Sequence, residues 1–156
     1  MIKKNGFTLV EMLVVIAIII LISVSAIPAI TPFLKGQRLN KGARIVQAQA
    51  LAARTMAINS REIRRLEFDS TNYKLTIQDK DGITLGKQEF LPGTIEFGTS
   101  TGNWPAGTSS VYFDPNGSAD YSSPGKLGTD TVTIRDKQDN TKNLKIISYT
   151  GQIISD

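Results

Sequence analysis

The chain has 156 residues, 40% hydrophobic and 21% charged, a formal charge of +4, and neither cysteine nor histidine. That length allows one ordinary domain plus a membrane segment. The missing residue types exclude disulfides, thiolate chemistry and the usual neutral-pH general base, so composition argues against an enzyme and points to no cofactor and no metal site.

Charge is unevenly placed. Between Lys35 and Arg65 eight basic residues face a single acid, Glu62, whereas from Leu66 onward twelve acidic residues outnumber eight basic ones. A basic stalk beneath an acidic head is the pattern, rather than a uniformly basic nucleic-acid binder. Phe7 to Ile30 is 24 residues without a charge other than Glu11. As a helix that stretch extends about 36 Å, enough for a hydrocarbon core of about 30 Å. Lys3 and Lys4 precede it, which keeps the N-terminus cytoplasmic and sends the remainder across. A signal peptide cut after Val24-Ser25-Ala26, or an uncleaved anchor, are the plain readings. Neither accounts for Glu11, since a carboxylate deep in a bilayer costs about 2.5–3.5 kcal/mol and less near the interface.

The stretch KKNGFTLVEMLVVIAIIILISVSAIPAI resembles the N-terminus of type IV pilins and of type II secretion pseudopilins. In that pattern a short basic leader ends in Gly and is followed by Phe-Thr-Leu-(Val/Ile)-Glu and an apolar helix. Gly6, Phe7, Thr8, Leu9, Val10 and Glu11 all match. The resemblance implies cleavage by prepilin peptidase between Gly6 and Phe7, methylation of the new amine of Phe7, and retention of the apolar helix. Gly6 suits such a cut because it brings no side chain into the protease site. The resemblance also implies that Glu11 pairs with the N-terminal amine of a neighbouring subunit, an assembly role that would offset its cost in the bilayer.

Pro28 and Pro32 predict a kink or loosening of the helix, and Gly36 and Gly42 add flexibility. Leu39, Ala43, Val46, Ala50, Ala53 and Ala57 then recur at helical spacing, a seam of small residues suited to lying close against a sheet. Asn59-Ser60 ends it. Lys35, Arg38, Lys41 and Arg44 recur every third residue, either as a solvated face or as cations meeting lipid headgroups or acidic neighbours.

Beyond Asn59 the period shortens. EIRRLEFD alternates imperfectly through Ile63, Leu66 and Phe68, and YKLTIQ cleanly through Tyr73, Leu75 and Ile77. Further strands are expected over Thr94–Phe97, Val111–Phe113, Thr131–Arg135, Leu144–Tyr149 and Gln152–Ile154. Turns are expected at Ser70-Thr71-Asn72, Asp81-Gly82, Pro92-Gly93, Pro115-Asn116-Gly117 and Asp139-Asn140. Gly98 to Ser110 reads as a long loop carrying the one tryptophan, Trp104, as a contact residue or a cover for the core edge. Asp79-Lys80-Asp81-Gly82 resembles part of a calcium loop, but Ile77 and Gln88 would occupy ligand positions, so a hairpin turn is the better reading. Asp114 and Asp120 flank a turn, either as a cation site or, the better reading, as solvated loop carboxylates.

The fold class is therefore α+β, a long N-terminal helix packed on an antiparallel β head. It divides into a leader over 1–6, a membrane and assembly helix over 7–30, its amphipathic continuation over 31–60, and a β-rich periplasmic head over 61–156. VYFDPNGSA and LKIISYTGQI in the head resemble the GspH/FimT group, whose turn is matched by Phe113, Pro115 and Gly117 and whose last strand pair turns at Gly151. What this implies is a minor pseudopilin similar to the H component of type II secretion, a non-enzymatic subunit anchored once in the inner membrane. Its partners would be other pseudopilins or pilins in a filament, prepilin peptidase, the inner membrane and secreted proteins. The alternative is a minor type IV pilin of the FimT type, in pilus assembly or DNA uptake. DNA is not expected as a partner: DNA-binding members carry a C-terminal arginine motif, whereas no Arg follows Arg135 and the head is acidic.

Overall fold

The computed structural model describes residues 7–99, 102–103, 107–122 and 127–155, apart from the side chains of 25–32, 35, 99, 102 and 103. Helix α1 spans Leu9–Ser60. It stays helical across Pro28 and Pro32, whose fixed φ suits a helix even though each removes a backbone donor. Its end is a left-handed cap. Arg61 takes φ 55° and the Glu62 N–H donates to the Ala57 carbonyl at 3.3 Å, the bond expected of a Schellman closure.

The chain divides into two compact units, 1–36 and 37–156, with the boundary at Gly36 inside α1. In the first unit the described apolar side chains from Leu9 to Val24 are exposed. Among the described residues no helix is long and apolar enough to cross a membrane. From Leu9 to Val24 the helix extends only about 24 Å, and the side chains of 25–30, the rest of the span expected from sequence, lie outside the described residues.

In the second unit the described strands are β1 (Arg64–Asp69), β2 (Lys74–Gln78), β3 (Glu89–Phe90), β4 (Ile95–Thr99), β5 (Gly102–Asn103), β6 (Thr108–Phe113), β7 (Ala119–Asp120), β8 (Thr131–Asp136), β9 (Thr141–Ile147) and β10 (Gln152–Ser155). They form two sheets, ordered β3-β2-β1-β6-β7 and β10-β9-β8-β4-β5. Every pairing is antiparallel, with Leu66 opposite Ile77 and Val111 in the first sheet and Ile134 opposite Phe97 in the second. Both sheets and α1 contribute to one core. Phe68 of β1 meets Phe97 of β4 edge-on, ring centroids 5.7 Å apart, joining the sheets. Ala43, Val46, Ala50, Ala53 and Ala57 are all buried, so the small-residue seam is the docking face. Gly42 is part of it. A Cβ there would meet Ile95 and Ile134 at 3.2 and 3.3 Å, so this glycine serves close approach rather than the flexibility expected of it.

Two strand expectations change, and parts of the loop expected over Gly98 to Ser110 are strand: β4 runs to Thr99, β5 is Gly102–Asn103, and β6 begins at Thr108. Tyr73 takes φ 51° and belongs to the turn before β2, because the chain must reverse there after only six residues of β1. The strand expected over Leu144–Tyr149 is shifted to Thr141–Ile147, and Ser148 to Thr150 turn back toward β10. Two-residue strands β3, β5 and β7 are too short to leave an alternation in the sequence.

Candidate functional site

At the start of α1, Thr8 and Glu11 cap the helix together. The Glu11 N–H donates to Thr8 Oγ1 at 3.2 Å, while the Thr8 N–H and hydroxyl both donate to Glu11 Oε2 at 3.1 Å. This is a capping box, which satisfies otherwise orphaned helix donors. Its Thr-x-x-Glu signature stands in the sequence, beside the assembly reading of the same carboxylate. Only one carboxylate oxygen, Oε2, takes part in these bonds. Phe7 is exposed beside the cap. Gly6 lies outside the described residues.

In the head the turn residues meet around a side chain that sequence reasoning missed, Arg54. Gly117 takes φ 86° in the β6–β7 turn, and Gly151 takes φ 61° between β9 and β10. Arg54 Nε donates to the Gly117 carbonyl at 3.1 Å. A Cβ on Gly151 would collide with that same carbonyl oxygen, and would lie 3.1 Å from Arg54 Cδ and 3.3 Å from the ring of Phe113. Phe113 is fully buried and Pro115 exposed. Phe113, Gly117 and Gly151 thus form one clasp on α1, and Pro115 only shapes its turn. The Ala119 N–H donates to the Ser148 carbonyl at 2.7 Å and Ser148 Oγ to the Ala119 carbonyl at 3.0 Å, tying the two turns together. Beside the clasp a groove of about 310 Å³ runs along Gln47, Leu51, Arg54 and Gly151 to Ile154.

Asp79 closes the turn after β2, accepting from the N–H groups of Asp81 and Ile83 at 2.9 and 2.8 Å. That is the hairpin reading. Asp114 accepts from Ser118, and Asp120 from Ser122. Among the described residues no group of three acids is placed to hold a metal ion. Trp104 lies outside the described residues. Among the head cations, Arg64 pairs with Glu62 at 2.8 Å and Arg65 with Glu67 at 2.7 Å. Arg65 also donates to Ser110 and lies over the Tyr112 ring.

Residues 1–27 match the family described as prokaryotic N-terminal methylation motif. A comparison with curated protein sequences returns no match. The fold is similar to a crystal structure of the type IV minor pilin FimU of Pseudomonas aeruginosa strain PAO1, with TM-score 0.55 and 20% identity, covering 80% of this chain and 92% of that one. A second crystal form of FimU gives TM-score 0.52 and 19% identity, covering 76% and 92%. This is a pilin-like fold. In the pilin-like head the Arg54 clasp joins helix to sheets, and the methylation motif encloses Phe7 and the Thr8–Glu11 cap.

Proposed function

We propose that this protein is a minor subunit of a membrane-anchored, pilin-type filament. The observation that carries the reading is the union of a methylation motif over residues 1–27 with a pilin-like head. The chain is cut between Gly6 and Phe7 by prepilin peptidase, methylated on Phe7, and held by the helix over 7–30 until assembly. Its head, over 61–156, then lies in the periplasm. Glu11 keeps its cap through Oε2 and offers Oε1 to the N-terminal ammonium of the next subunit. The subunit performs structural work and no chemistry of its own. The GspH/FimT resemblance of the head favours a pseudopilus of type II secretion, which exports folded proteins. The likeness to a minor pilin favours the second reading, a type IV pilus.

Mass spectrometry of the protein extracted from its native membrane tests the processing. The expected species begins at Phe7 and carries one added methyl. An intact Met1, or a chain beginning after Ala26, would remove the filament reading. Crosslinking from the head, followed by identification of the captured subunits, separates pseudopilus from pilus.

A further inference from the structure

Between Glu11 and Glu62 the chain contains no acidic residue, yet it contains Lys35, Arg38, Lys41, Arg44, Arg54 and Arg61. Arg38, Lys41 and Arg44 are exposed. At about 100° per helical residue they fan over roughly 120° of α1, centred opposite the buried face of Ala43, Val46 and Ala50. Among the described residues none of the three meets a carboxylate, whereas head cations such as Arg64, Arg65, Arg135 and Lys145 do. A fourth cation is brought up from β9. Lys142 Nζ donates to Asn40 Oδ1 at 2.8 Å, one helical turn from Arg44. Like charges on one face repel one another, and an external anion-bearing surface would relieve that repulsion.

We propose that this face of α1 docks on an anionic phospholipid bilayer. The proposal rests on the membrane-anchored reading above. In sequence the three cations closely follow the apolar run that the anchor requires, and a fan of charges matches a surface of many phosphates better than one protein carboxylate. Each basic residue near such a surface adds to the attraction, and loss of three should shift the docked-to-undocked ratio by on the order of a hundredfold.

The test uses the full chain, whose lack of cysteine permits a single label at Ala48→Cys, an exposed position of the same face. Protein is reconstituted in phosphatidylcholine vesicles with or without phosphatidylglycerol, each containing a headgroup quencher. Quenching should be stronger in the anionic vesicles, fall with added salt, and be lost in R38Q/K41Q/R44Q. The charge-keeping variant R38K/K41R/R44K should retain it. Equal quenching in both lipids, or quenching that survives the triple Gln change, would overturn the proposal. So would displacement of the docked state by duplex DNA at physiological salt. Flotation separates this from failure of the anchor: a chain that does not float with neutral vesicles removes the anchored reading. In that case flotation with anionic vesicles, lost in the Gln variant, upholds the docking face, and its absence overturns it.

Discussion

Glu11 caps the helix and has a proposed assembly role, and a single substitution confuses the two. As Glu it caps α1 through Oε2 and supplies a charge to the proposed neighbour. Gln preserves the capping geometry and removes the charge, whereas Ala removes both. Glu11→Gln should therefore keep the helix start and lose crosslinking into filaments. Glu11→Ala should lose crosslinking and, in addition, on the order of 0.3–1 kcal/mol of helix-start stability, the contribution of a carboxylate in the first turn. Wild-type crosslinking in the Gln variant would assign Glu11 to the cap alone. Gly151 offers a second residue-scale test. Its φ is left-handed and a Cβ would strike the Gly117 carbonyl, so Gly151→Ala should cost about 1–3 kcal/mol or more. Gly82→Ala shares the positive φ but opens onto free space, and should cost less. Equal urea midpoints for the two variants would show that the clasp tolerates a side chain.

At the scale of elements, the turn from β1 to β2 depends on Asp69. Burial pushes its carboxyl pKa up, but hydrogen bonds from the Asn72 side chain, the Asn72 and Thr71 N–H groups, and the charge of Lys74 outweigh that and hold it below the ordinary value. A carboxyl with a depressed folded pKa contributes stability that is complete above the unfolded value of about 3.9 and lost as pH falls through the folded value. Asp69→Asn should therefore destabilise the protein near neutrality and flatten the acid limb of the urea midpoint against pH. Parallel curves for wild type and variant would refute this role. The helix, its end at Ser60 and its small-residue seam were legible in the sequence because local period carries them. The turn at Asp69 was legible from Ser70-Thr71-Asn72. The Arg54 clasp was not, because it joins residues 63 positions apart, and no local pattern marks a helical arginine as the partner of a distant carbonyl. Gly42 was misread for a similar reason: its neighbours, Ile95 and Ile134, come from strands far along the chain.

For the whole molecule, the core lies between Ala43 and Ile146 and so falls entirely within the unit 37–156. A fragment beginning at Gln37 should fold without the apolar segment, giving a mixed helix and strand dichroism spectrum and a cooperative urea transition. A disordered spectrum would mean that this unit does not fold without the rest of the chain or a partner. The manner in which α1 is fastened to this unit has a mechanical consequence. Alanines offer shallow contact and little interlock, so under tension along the helix axis they resist separation better than sliding. Sliding is opposed at the Gly42 notch, where Ile95 and Ile134 fit, and at the Arg54–Gly117 bond. Those points are twelve residues apart, about 18 Å along the helix. A head pulled by its stalk would carry the load in shear through these fastenings, together with the Lys142–Asn40 and Gln47–Ile153 bonds, and would slip when they give way.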